Sequence, residues 1–156
     1  MAVTHFVLIT HWQFDAPLDR VWALIEASEN WPSWWRAVKK VELIERGDAN
    51  DVGTVRRLTW GTALPYDITF DVRTIRVEPR ALIEGRAFGE LDGVGLWTLH
   101  EEGGVTHVRY DWRVEVTKAW MRLFAPLLRP VFAWNHSKVM GWGYEGAVAR
   151  LGLGGE

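Results

Sequence analysis

Five histidines, three serines and no cysteine make up the bases and nucleophiles that this chain could use for covalent or acid–base chemistry. His5, His11, His100, His107 and His136 show no H-E-x-x-H or other tight ligand spacing, and without cysteine the usual structural zinc sets are missing. We therefore expect neither a metal nor a cofactor. Ser28, Ser33 and Ser137 lie outside any G-x-S-x-G elbow, which argues against a serine hydrolase. Asp67, Asp71, Asp111 and Glu115 share alternating segments with arginines and read as solvated cross-strand ion pairs rather than an acid/base couple. Gly93-Val94-Gly95 precedes a strand and not a helix, so it is no phosphate cradle. His136 stands apart because it follows Asn135 inside a helical pattern. Tyr66, Tyr110 and Trp112 are the other candidates: an inward phenol or indole offers apolar area together with a hydrogen-bond donor, whether it serves a site or only the core.

The elements that must position these groups follow from periodicity. Phe6, Leu8, Trp12 and Phe14 alternate with polar neighbours and predict a strand over 4–14. Asp15-Ala16-Pro17 ends it, and Pro17 leads into a short helix with the stripe Val21, Trp22, Leu24 and Ile25. A second short helix is expected around 30–36, with Asn30 as N-cap and Pro32 in its first turn. From 38 to 117 the pattern is β throughout, broken by turn residues into five or six strands with one wet face. In the strand near 81–90 the inner face reads Ala81, Ile83, Gly85, Ala87 and Gly89, small enough to leave room for something else. Residues 118–130 read as helix broken by Pro126 and Pro130. Residues 131–151 read as one long helix carrying His136, Met140, Gly143, Ala147 and Leu151 on one stripe, which must pack against the dry side of the sheet.

Composition narrows the function. A net charge of −2 provides no basic footprint for nucleic acid. No stretch approaches the roughly 18 apolar residues of a membrane span, and no signal-peptide pattern is present, so a cytoplasmic protein without stable membrane insertion is expected. The eleven tryptophans, four of them in Trp22 and Trp31-Pro32-Ser33-Trp34-Trp35, are more rigid indole than one core needs and point to a broad apolar wall, a ligand cavity or a membrane-facing rim.

Phe14-Asp15-Ala16-Pro17 with Val21-Trp22, then Trp31-Pro32-Ser33-Trp34-Trp35, Leu64-Pro65-Tyr66, and Trp134-Asn135-His136 with Met140 resemble the polyketide cyclase/dehydrase branch of the START-like (SRPBCC) superfamily. The resemblance spans nearly the whole chain and implies one α+β domain over 1–156 with a helix-grip fold, a curved antiparallel sheet wrapped round the C-terminal helix. It also implies an elongated cavity between sheet and helix for a hydrophobic ligand of lipid, polyketide or aromatic type. The expected ligand-contacting residues are Tyr66, Phe70, Ala87, Trp97, Tyr110 and Trp112 from the sheet, and Asn135, His136, Met140 and Gly143 from the helix. In the runner-up reading, a cyclase or dehydratase, the cavity folds a poly-β-ketone chain, with His136 as base and Tyr66 or Tyr110 polarising a carbonyl. A packed structural histidine is the competing reading of His136. A third reading is an interaction module at a membrane or in a complex, carried by Trp120 to Arg129, a stretch read in preference as the loop and helix that cap the cavity mouth. A homodimer stays open.

Overall fold

The expected alternation forms β1 (His5–Phe14), with Phe6, Trp12 and Phe14 buried. The structure is a computed structural model that describes residues 5–65, 67–89, 91–115, 123 and 125–153. Pro17 ends the extended segment, and α1 (Leu18–Glu26) buries Val21, Trp22 and Ile25 as its spacing requires. Two bonds tie down its start. The Leu18 N–H donates to Glu101 Oε1 (2.8 Å), and the Thr106 hydroxyl donates to the carbonyl of Ala16 (2.7 Å).

The meander that follows comprises β2 (Val38–Glu45), β3 (Val55–Gly61), β4 (Asp67–Glu78), β5 (Leu82–Gly89), β6 (Asp92–Glu102) and β7 (Val105–Glu115). All neighbours pair antiparallel in one seven-stranded sheet of order β1-β7-β6-β5-β4-β3-β2, which leaves β1 and β2 as its edges. Register puts Phe70, Val72 and Thr74 of β4 opposite Gly89, Ala87 and Gly85 of β5, and Gly95 and Trp97 of β6 opposite Trp112 and Tyr110 of β7. These residues share the inner face, because side chains on adjacent strands align across the ladder. The outer face carries the expected cross-strand pair Arg57–Asp71, directly opposite each other at 2.8 Å, whereas Arg109–Asp111 at 2.7 Å lies along β7 and Asp67 pairs with Lys39 at 3.0 Å and not with an arginine.

Two local expectations are corrected. The segment after α1 is a 3₁₀ helix, Ser28–Ser33, preceded by Ala27, so Asn30 lies within it and caps nothing. The Asn30 carbonyl instead accepts the Ser33 hydroxyl (2.7 Å), while the Trp31 carbonyl accepts the N–H groups of both Trp34 and Trp35. Pro32 has no N–H to extend an α-helical ladder, which suits a short tight helix. The last helix, α2 (Ala125–Leu151), begins before the expected start at 131 and runs through Pro130. Pro126 falls in its first turn, where a missing N–H costs nothing.

The core is built on Trp35, 1% exposed, whose indole N–H donates to the Val139 carbonyl of α2 (2.9 Å). Its ring lies 5.1 to 6.2 Å from those of Trp12, Trp31, Trp34, Trp60 and Trp97. Helix α2 reaches this cluster through glycines. A Cβ on Gly143 would lie 2.5 Å from Trp35, and one on Gly146 would overlap the Trp34 carbonyl oxygen. Gly143 and Ala147 therefore face the Trp34-Trp35 segment and not the small residues of β5, and the space expected between sheet and helix is occupied there by indole.

Candidate functional site

The void lies to one side of that cluster. A cavity of about 510 Å³ runs between the inner face of β3 to β7 and the layer formed by α1, the 3₁₀ helix and the β2–β3 loop. Its walls are Trp22 and Ile25 of α1, Trp31, and Leu58, Trp60, Phe70, Val72, Ile83, Trp97, Tyr110 and Trp112 from the sheet. Glu26, Ala49, Asn50 and Pro79 also line it and are exposed, which places its mouth between the end of α1, the β2–β3 loop and the β4–β5 turn.

The floor is made by glycines that seat larger neighbours. A Cβ on Gly95 would lie 2.6 Å from the Tyr110 hydroxyl oxygen, and one on Gly85 would lie 2.7 Å from Val72 Cγ1. Tyr110 rests against Trp97, with centroids 4.2 Å apart, and lies nearly parallel to Trp112 at 6.2 Å. Its hydroxyl has no hydrogen-bond partner among the described residues. Burial holds the phenol above its ordinary pKa, so at neutral pH it is a proton donor in an apolar chamber.

Arg56 guards the mouth. Its guanidinium donates two bonds of 2.8 Å to the Asp51 carboxylate and one of 2.9 Å from Nε to Glu29. Burial opposes charge on both Arg56 and Asp51, yet the hydrogen bonds and charges of the cluster outweigh it, holding Asp51 below and Arg56 above their usual ranges. Among the described residues Arg56 is the cation of the lining, set against Glu26 and Asp51 there; beside them Glu29 bonds Arg56 and Arg46 acts on Asp51, which leaves carboxylates in slight excess at the mouth.

The structure brings Phe70, Trp97, Tyr110 and Trp112 together in the cavity wall. Ala87 shares their face of the sheet but is 1% exposed and packed outside the cavity. Asn135 is buried and accepts the Ala63 N–H at Oδ1 (2.7 Å), which fastens α2 to the β3–β4 loop. Met140 is core, and Gly143 faces Trp35. His136 has a buried Nε2 without a hydrogen-bond partner, and burial lowers its pKa to about 4, so the ring is neutral near pH 7. Neither it nor any other described residue of α2 lines the cavity. Tyr66, and residues 120–122 and 124 of the expected interfacial stretch, lie outside the described residues.

Arg56, Asp51 and Trp60 escaped the sequence reading. A signal was present: Arg56, Leu58 and Trp60 fall at period 2, which puts an arginine on the apolar face of β3. A second set was invisible to spacing, because His100 and His107 become neighbours only through the β6–β7 register. Together with Glu102 they place ligand atoms within 4.8 Å of one another on the outer face.

Residues 9–152 match the family model described as polyketide cyclase / dehydrase and lipid transport, and the chain belongs to that family. Among curated proteins there is no significant match. Solved structures share the helix-grip fold of the START-like superfamily. The Zhui aromatase/cyclase from Streptomyces sp. R1128 superposes with a TM-score of 0.77 at 17% identity, covering 96% of this chain and 94% of its own. A START superfamily protein from Mycobacterium smegmatis gives 0.77 at 13% identity over 96% and 98%. TTHA0849 from Thermus thermophilus gives 0.75 at 18% over 93% and 99%.

Proposed function

We propose that this chain binds a neutral, hydrophobic small molecule of lipid, polyketide or aromatic type in the cavity beside the tryptophan cluster. The observation that carries the proposal is the lining itself: seven aromatic side chains surround about 510 Å³, a volume suited to a small molecule, and two of them, Tyr110 and Trp60, carry donors without a hydrogen-bond partner among the described residues. The negative mouth disfavours a free carboxylate or phosphate on the ligand, whereas a carbonyl oxygen would suit the phenol.

The likeness to an aromatase/cyclase supports a second reading, in which the cavity folds a poly-β-ketone and Tyr110 polarises a carbonyl. That reading also needs a base, and His136 sits apart from the cavity wall, so binding is the stronger conclusion.

Native mass spectrometry of the protein as purified should find a copurified apolar mass, and an apolar fluorescent probe should bind one per chain. Val72→Trp puts an indole into the cavity and should weaken probe uptake by about tenfold, equivalent to about 1.4 kcal/mol. Unchanged uptake in a folded Val72→Trp variant would overturn the proposal. With a poly-β-ketone substrate, the unsubstituted chain divides the two readings: an enzyme converts it to a cyclised product, while a carrier binds it and returns it unchanged.

A further inference from the structure

We propose that the outer face of the β6–β7 hairpin is a binding site for a divalent ion of the zinc class, ligated by His100, Glu102 and His107. The site is independent of the cavity, which lies on the other face of the sheet. His100 stands directly opposite His107 in the β6–β7 register, and Glu102 follows His100 by two residues, so all three project from one face. The imidazoles are nearly parallel, 10° apart with centroids separated by 4.8 Å, and one ligand atom from each of the three side chains lies within 4.8 Å of the other two. None of the three side chains forms a hydrogen bond or ion pair with another described residue, so their ligand atoms are uncommitted. The nearest cation along β7, Arg109, is engaged by Asp111 at 2.7 Å.

Coordination chemistry selects the ion. Bonds of roughly 2.0–2.2 Å in a tetrahedron put ligand atoms about 3.3 Å apart, a closure that side-chain rotation on an exposed hairpin can supply. Two imidazoles and one carboxylate favour zinc over magnesium or calcium, which prefer all-oxygen shells. Three protein ligands leave a fourth position for water. The ion would also stiffen the frame of the cavity. The same hairpin end holds α1 through Glu101–Leu18 and Thr106–Ala16, and α1 carries Trp22 and Ile25 into the cavity wall.

Zinc chloride titrated calorimetrically into the full chain in a non-chelating buffer should bind 1:1. His100→Ala and His107→Ala should each weaken binding by at least about tenfold, the low end of what even outer-shell changes cost a metal site. Glu102→Gln should weaken it less, and His11→Ala on neighbouring β1 should leave it unchanged. Zinc should raise the melting temperature of the unsubstituted chain, and EDTA should reverse the rise. Imidazole NMR shifts of the unsubstituted chain read the same ligands without any variant. Failure to saturate at millimolar zinc overturns the proposal. So does full affinity in the His100→Ala/His107→Ala double variant, or zinc-dependent shifts confined to other histidines.

Discussion

The inside of the sheet has a filled half and an open half, and glycine appears in both with opposite effect. In the filled half Gly143 and Gly146 let α2 settle on Trp34 and Trp35, so small residues there signal close approach. In the open half Gly95 seats the Tyr110 phenol and Gly85 seats Val72, and the void lies above those larger side chains. Small residues on an inner face therefore do not mark a cavity by themselves. What matters is whether a neighbouring layer supplies a ring to fill the gap.

The largest expected effect tests whether the filled half carries the stability. Trp35→Ala removes the indole that bonds Val139 and touches Trp12, Trp31, Trp34, Trp60 and Trp97. It should cost about 3–5 kcal/mol in chemical denaturation. A loss below about 1 kcal/mol would mean that the cluster is loosely packed and the two halves are alike.

Two ionisable groups, one at the cavity mouth and one on α2, are held in opposite ways. The open half keeps a charged arginine satisfied by two carboxylates, while α2 buries a neutral His136 with Nε2 unpartnered. The folded pKa of about 4 lies below the ordinary 6.5, so between these values the unfolded chain binds more protons and stability falls as pH falls. From pH 7 to pH 5 this histidine should cost about 2 kcal/mol, a loss that His136→Gln should abolish. An equal pH slope in that variant would contradict a buried neutral imidazole.

The smallest effect sharpens the glycine contrast. Gly146→Ala drives a methyl into the Trp34 backbone carbonyl and should cost about 1–3 kcal/mol. Gly85→Ala meets only the end of the Val72 side chain, which can turn into the cavity, and should cost less than about 1 kcal/mol. Equal costs would erase the distinction.

Much of the fold was legible in the sequence. The strands were, because period-2 alternation follows directly from one dry face, and so was α1, whose buried Val21, Trp22 and Ile25 repeat at helical spacing. The family motifs located the fold, and Phe70, Trp97, Tyr110 and Trp112 stand out in the sequence as aromatic residues of inner strand faces. Hidden were the facts that depend on which layers meet. Periodicity puts Ala87 and Phe70 on one face but cannot say which of them borders empty space. The helical stripe through His136, Met140 and Gly143 shows that this side of α2 is buried, not that Trp35 is what covers it. The 3₁₀ helix departs from expectation because Asn30 has the chemistry of an N-cap, while the Trp31 carbonyl decides the turn.

The tryptophan cluster has an optical consequence. Trp12, Trp31, Trp35, Trp60 and Trp97 form a continuous chain of indoles with neighbouring centroids 5.1 to 6.4 Å apart. At such separations excitation absorbed by one ring migrates to the others before it is emitted. Trp31, Trp60 and Trp97 belong at once to this antenna and to the cavity wall. A molecule that quenches any one of them drains the light collected by all, so the protein carries its own amplified reporter of occupancy and needs no added dye.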